Sequence, residues 1–150
     1  MGKRSKARAL AVQVLFHMEY HTGQPVEVFE LISENFGSSE SVKDFSRFLV
    51  CSVCSNMERL DNLIRRSSKN WRIERMSRVD RIILRLGVCE ILFCPDVPPK
   101  VSIDEAVELG KKFGTEDSAS FINGIMDNVF NSLSPDEVGP EKRHYFEKKE

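Results

Sequence analysis

The stretch "SFINGIMDNVF", Ser120 to Phe130, supports two readings that lead to different folds. Asn123-Gly124 is a strong dipeptide for a tight turn between strands. The residues around it are spaced as in a helix. Ile122, Ile125, Met126, Val129 and Leu133 fall on one stripe when successive residues turn by about 100°. A sustained stripe outweighs one dipeptide, so a helix through the turn signal is expected, with the stripe as its core face. Phe121 then lies beside the stripe, on the side that also carries Asp117, Gly124 and Asn128. On this reading Gly124 is a missing side chain, not a bend. It leaves bare backbone beside a half-exposed aromatic and a carboxylate. Asn123 falls on the opposite flank, where its amide is expected to tie the helix to a neighbour.

Outward from this segment, helical periodicity dominates and strand signals are weak. A first helix is expected from about Ser5 to Tyr20, with Ala7, Leu10, Ala11, Val14, Leu15 and Met18 as its core stripe. Gly23 stops it, and Gln24-Pro25 opens a second helix to about Gly37, proline being suited to a first helical turn. A third begins near Ser41 and breaks near Asn56, before a shorter one from about Leu60 to Ser67. Trp71 to Met76 reads as a linker. Ser77 to Asp80 has the spacing of a capping box and opens "RIILRLGVCEILF", which is apolar on nearly every side and belongs in the middle of the protein. Pro95 and Pro98-Pro99 end it. A second capping box, Ser102 to Glu105, opens a helix closed by Gly114, and Thr115 or Asp117 caps the last core helix. From Ser134 on, a loose polar tail is expected. The result is all-α, three helical segments followed by three more.

The chain has 150 residues, 41% hydrophobic and 30% charged, a globular composition. No apolar run reaches the roughly eighteen residues of a membrane helix, and the basic N-terminus is not followed by a signal-peptide core. A cytoplasmic protein is the default expectation, with no membrane partner. Cys51 and Cys54 form a C-x-x-C that no second pair completes, and Cys89 and Cys94 are spaced differently. All four thiols are expected to be structural and buried. The net charge of -1 hides two basic clusters. One is Lys3, Arg4, Lys6 and Arg8. The other runs from Arg65 through Arg66, Lys69, Arg72, Arg75, Arg78 and Arg81 to Arg85, against Glu74 and Asp80 alone. Such clusters can be an electrostatic footprint for nucleic acid, or a solvated surface that acids face in space.

Catalytic constellations are absent from the sequence. His17, His21 and His144 have no cysteine or serine at a recognisable motif spacing, and the pair four apart on the first helix is at most a weak metal site. No enzyme activity, cofactor or metal is expected. Phe16, however, points away from the first helix's core stripe, near Ala9, Val12, Gln13 and Tyr20. Either that helix is sandwiched, or Phe16 belongs to a stacking surface beside basic residues, as single-stranded RNA requires.

Three stretches, in order and correctly spaced, resemble the NusB family of transcription antitermination factors: "KARALAVQVLFHME" (Lys6 to Glu19), "DRIILRLGVCEILFCPDVPPKVSIDEAVELGKKFG" (Asp80 to Gly114) and "SFINGIMD" (Ser120 to Asp127). A similar module also opens certain RNA cytosine methyltransferases, which need a long cofactor-binding domain that these residues do not contain. The resemblance implies two perpendicular three-helix bundles packed as one compact NusB-like unit. The N-terminal bundle would span about 5–70 and the C-terminal one about 77–133, within a domain of 1–133 followed by the polar tail 134–150.

The resemblance also implies binding of boxA-like single-stranded RNA together with a small-subunit ribosomal protein that doubles as a transcription factor. The RNA polymerase elongation complex would then read through terminators during ribosomal RNA transcription. Carried over, the RNA-binding positions are Lys3, Arg4, Lys6, Arg8, Gln13 and Phe16. The surface shared by RNA and the protein partner comprises Asp80, Arg81, Asp117, Phe121 and Gly124. Three positions depart from the family pattern: Phe16 lacks a tyrosine hydroxyl, Cys89 stands where a tyrosine is frequent, and Gly110 replaces a small alanine. Asp80 and Asp117 could equally do no more than cap their helices. A homodimer could bury the same aromatic surface. The competing function class is a helical protein-interaction module without RNA binding.

Overall fold

The computed structural model describes residues 2–20 and 22–147, and no strand occurs among them. His21, half of the weak histidine pair, lies outside the described residues. Seven α-helices follow one another: α1 (Lys3–Met18), α2 (Pro25–Ser33), α3 (Glu40–Ser55), α4 (Met57–Ser67), α5 (Arg78–Phe93), α6 (Pro99–Phe113) and α7 (Ser118–Ser132). The chain divides after Asn56 into two compact units.

In the first unit α1, α2 and α3 pack on one another. Gln24 precedes Pro25 at the start of α2, as expected. A short 3-10 turn, Glu34–Phe36, ends at Gly37, whose φ of 55° is the left-handed conformation glycine tolerates best. The expected core stripe of α1 is buried from Ala7 to Leu15, but so are Ala9 and Val12 on the opposite side. Burial thus extends round the helix, although Phe16 itself is only half-buried. Its apolar residues wrap around it instead of forming one face.

The second unit is built around α5, which packs on α4, α6 and α7 and is buried from Ile82 to Leu92. Here the structure departs from the expected boundary, since α4 packs with this unit and not with the N-terminal bundle. Leu60, Leu63 and Ile64 are buried, and Asp61 of α4 accepts two hydrogen bonds from Arg85 of α5, at 2.6 and 2.9 Å. This half-sequestered bidentate pair joins α4 to α5. The first unit thus has three helices and the second four.

Two capping expectations need correcting. Ser102 does not open α6; the helix begins at Pro99, because a proline at the first position has no N–H to lose. Ser102 lies fully buried inside it, its hydroxyl without a hydrogen-bond partner. At the start of α7 neither Thr115 nor Asp117 caps through its side chain; instead Ser118 Oγ accepts the Thr115 N–H at 2.9 Å. Gly114 makes that turn feasible, because a Cβ there would collide with the side chain of Ser118.

From Ser134 to Glu147 the tail is not loose. It forms 3-10 turns at Pro135–Glu137 and Pro140–Tyr145. Val138, Lys142 and Phe146 are buried. Phe146 meets Phe130 of α7 with ring centroids 5.0 Å apart. The Lys142 ammonium donates to the carbonyls of Glu90 (2.9 Å) and Ile91 (3.1 Å) in the last turn of α5. A cation there satisfies carbonyls that the helix cannot and complements its dipole. Burial nevertheless pushes the Lys142 pKa down, with Cys94, Glu90 and Asp96 opposing that shift.

Candidate functional site

In the first unit the predicted RNA-binding residues divide. Lys3 and Lys6 are exposed and make no ion pair among the described residues. Arg4 and Arg8 stack over the Phe45 ring, their guanidinium carbons 4.3 and 5.6 Å from its centroid. Arg8 is only 2% exposed, so it contributes to packing and is not presented to a phosphate. Gln13 is half-buried, and its amide donates to the Ala9 carbonyl at 3.3 Å. Phe16 is half-buried, its centroid 5.7 Å from that of exposed Tyr20. Of the predicted set, Lys3, Lys6 and half-buried Phe16 remain accessible in this unit, with exposed Tyr20 beside Phe16, whereas Arg8 does not.

In the second unit the predicted residues come together more closely. Asp80, Asp117 and Phe121 line one groove of ≈ 480 Å³, along with Trp71, Arg75 and Ser120. Asp80 is at the start of α5, where its N–H donates to Ser77 Oγ at 3.1 Å. Its carboxylate does not return the capping bond, and its Oδ1 is enclosed without a hydrogen-bond partner. Asp117 is exposed and makes no capping bond. Neither carboxylate is used up in capping. Arg81 is committed elsewhere, donating to the Ile73 carbonyl at 3.2 Å and so bracing the connector before α5.

Trp71 is the residue that sequence reasoning missed, having assigned it to a linker. It is 58% exposed and stands edge-on to Phe121, centroids 5.3 Å apart at 80°. The signal was present: a lone tryptophan in a connecting segment beside basic residues. A second groove, of ≈ 620 Å³, lies along the Trp71–Phe121 pair and includes Gly124. A Cβ on Gly124 would meet nothing within 4 Å, so this glycine does open bare backbone. Asn123 is exposed and bonds to no neighbour among the described residues, contrary to expectation. Asn128 makes the tie instead, its amide donating to the Ser67 carbonyl at 3.1 Å.

Much of the second basic cluster is neutralised by acids distant or near in sequence. Arg66 pairs with Glu137 at 3.1 Å, Arg85 with Asp61 at 2.6 Å and Arg65 with Glu74 at 3.4 Å. Lys69 and Arg75 make no ion pair among the described residues. Burial pushes the Glu137 carboxyl up, but the Arg66 and Ser134 hydrogen bonds outweigh it and leave the pKa lowered. The thiols also divide: Cys89 and Cys94 are buried, Cys51 and Cys54 only partly so. Cys54 Sγ is 3.9 Å from Met18 Sδ, and burial, then the neighbouring Cys51, pushes its pKa up. No group of three or more His, Cys, Asp or Glu positioned to hold a metal occurs among the described residues.

Fold and grooves together define a protein, all-α among the described residues, that presents exposed Trp71 and half-buried Phe121 between an acidic and a non-acidic cleft. The NusB family model matches residues 5–131. Transcription antitermination protein NusB of Desulfatibacillum aliphaticivorans is 43% identical over 143 residues, covering 95% of this chain and 100% of that protein. The solved structure of T. maritima NusB is similar with a TM-score of 0.76 and 32% identity, over 91% of this chain and 96% of that one. A chain from a crystal structure of antitermination factors NusB and NusE in complex with dsRNA is similar with a TM-score of 0.77 and 27% identity, over 87% and 98%. This chain belongs to the NusB family.

Proposed function

We propose that this chain is a cytoplasmic, non-enzymatic transcription antitermination factor. It binds boxA-type single-stranded RNA together with a small-subunit ribosomal protein and acts on the RNA polymerase elongation complex during ribosomal RNA transcription. Family membership supports this reading, as does the presence of NusE and RNA beside NusB in a similar structure. The observation that carries it to particular residues is the groove in which Asp80, Asp117 and Phe121 meet Trp71. Its two carboxylates suit a basic protein partner, and its aromatics supply apolar contact area. In the first unit, Lys3, Lys6, Phe16 and Tyr20 are the proposed RNA contacts; Arg8 is withdrawn from that set because it is buried.

The test is a titration of boxA RNA and a scrambled RNA of equal length, with and without the ribosomal protein. Affinity for boxA should be modest alone, rise with the partner and fall steeply with salt, as phosphate contacts require. Equal binding of the two RNAs with the partner present would sink the proposal. A second reading, a helical interaction module without RNA binding, draws on the neutralised cations of the Arg65 to Arg85 cluster. It predicts partner binding with little salt dependence and no RNA affinity.

A further inference from the structure

The C-x-x-C of α3, Cys51 to Cys54, is a motif that the proposed function leaves unused. Neither cysteine lies in the stretches that carry the family resemblance, and both belong to the first unit. Residues three apart on a helix are surface neighbours, with Cβ atoms about 5–6 Å apart, so the two thiols share a face. They also feel each other's charge: burial first, then Cys51, raises the Cys54 pKa. A third sulfur completes the group. The Cys54 thiol donates to Sδ of Met18, the last residue of α1, at 3.9 Å. Packing alone would bury these sulfurs, yet Met18, Cys51 and Cys54 are each only half-buried. Cys51 also lines an open cleft of ≈ 420 Å³ with Arg47, Phe48 and Ser52, which gives a route in from solvent.

This set of donors has a definite preference. Thiolate and thioether sulfurs favour soft ions such as copper(I). An ion about 2.3 Å from both Cys54 Sγ and Met18 Sδ, at their separation of 3.9 Å, would see them at an angle of roughly 115°. That is close to the angle of a trigonal site, and Cys51, one turn earlier on α3, is the remaining donor. The thiol hydrogen of Cys54 already occupies the gap, so the ion would take the place of a proton. Harder ions are poorly served. No group of three or more His, Cys, Asp or Glu could hold a metal among the described residues, so tetrahedral zinc lacks its ligand set.

We propose that Cys51, Cys54 and Met18 form a binding site for copper(I), with two thiolates and one thioether around the ion. Binding releases both thiol protons to solvent and leaves one net negative charge at a half-exposed site. No electron changes hands. The occupied site ties the end of α1 to α3. This proposal does not depend on the antitermination reading, and each can fail without the other.

The test uses the full reduced chain, kept free of oxygen and titrated with copper(I) held by the chromogenic chelator bicinchoninate. The chain should withdraw a single equivalent, and X-ray absorption at the copper edge should show a shell of sulfur alone. Affinity should rise with pH, because the bound thiols must lose their protons. Cys51→Ser and Cys54→Ser should each weaken binding by about a hundredfold or more, and Met18→Leu by about tenfold, since even changes outside the ligand shell cost about 10–100-fold. Met18→Leu conserves volume, so its metal-free melting temperature should match that of the unaltered chain. Copper(I) should raise the melting temperature of the unaltered chain but not of Cys51→Ser. Unchanged affinity in Cys51→Ser or in Met18→Leu overturns the three-sulfur site. Zinc(II) binding as tightly as copper(I) overturns the ion assigned to it. If mild oxidation joins Cys51 to Cys54 while the reduced chain takes up no copper(I), the motif is a redox pair and the proposal fails.

Discussion

Trp71 and Phe121 meet edge to face, one from the connector before α5 and the other from the first turn of α7. Each ring restrains the other, although both remain open to solvent on one side. Phe121→Asp should therefore weaken binding of the ribosomal partner by at least tenfold while lowering stability by about 1 kcal/mol or less, the size of one aromatic pair contact. Tryptophan emission should shift to the red as Trp71 loses its neighbour. A fall in stability of the size seen for buried aromatics, about 3–5 kcal/mol, would place Phe121 in the core and end its candidacy as a docking residue.

The Lys142 ammonium closes the end of α5 from a segment that looks like a solvated tail in sequence. Lys142→Met keeps most of the stem but leaves the Ile91 carbonyl without this donor, and should cost about 1–3 kcal/mol. The pH dependence has a definite sign. Because the folded-state pKa is lowered, the unfolded chain binds more protons between the folded and unfolded values. The native protein thus gains stability as pH rises through that window, and the deficit of Lys142→Met should widen there. Thermal melts of both proteins across alkaline pH would show it, and a constant or shrinking deficit would count against the buried-ammonium account.

Three glycines should respond to alanine in three ways. At Gly114 the new Cβ collides with Ser118, and overpacking should cost about 1–3 kcal/mol. At Gly110 it would sit 2.8 Å from Ile122 Cδ1, so that fully buried side chain must shift, offsetting a helix-propensity gain of about 1 kcal/mol and leaving little net change. At Gly124 it meets nothing within 4 Å, and alanine should stabilise the protein by about 1 kcal/mol. Denaturant unfolding of the three variants should rank them in that order. A stabilised Gly114→Ala would refute the packing described at the α6–α7 turn.

Cys54 should alkylate slowly near neutrality, since burial and Cys51 raise its thiol pKa and so reduce the reactive thiolate. Cys89 and Cys94 should stay protected until the chain unfolds. Mass spectrometry after brief iodoacetamide treatment over a range of pH separates these classes. A Cys54 as reactive at pH 7 as a free cysteine would contradict its assigned environment.

The helices were legible because their apolar spacing follows the helical period over several turns. The apolar girth of "RIILRLGVCEILF" correctly located α5 at the centre of its unit. What sequence reading missed depends on distant pairings. Arg85 appeared to be one more surface cation until Asp61 folded against it. Arg8 counted as free charge until Phe45 covered it. The C-terminal anchors Val138, Lys142 and Phe146 are spaced four apart, a faint signal masked by the polar residues between them. Of the candidate surface, Asp80, Asp117 and Phe121 are brought into one groove. Trp71 carries no periodic signal at all, because it lies on a connector.

The Asn128 tie has a consequence for kinetics. Its bond to the Ser67 carbonyl, joined by the Arg66 bond to the Ser132 carbonyl at 3.1 Å, holds the two walls of the non-acidic groove at a set width before any ligand arrives. A cleft pre-organised in this way has little ordering entropy left to lose. Docking of a partner against this face should therefore need no prior rearrangement of the groove walls, and its rate should be set by encounter.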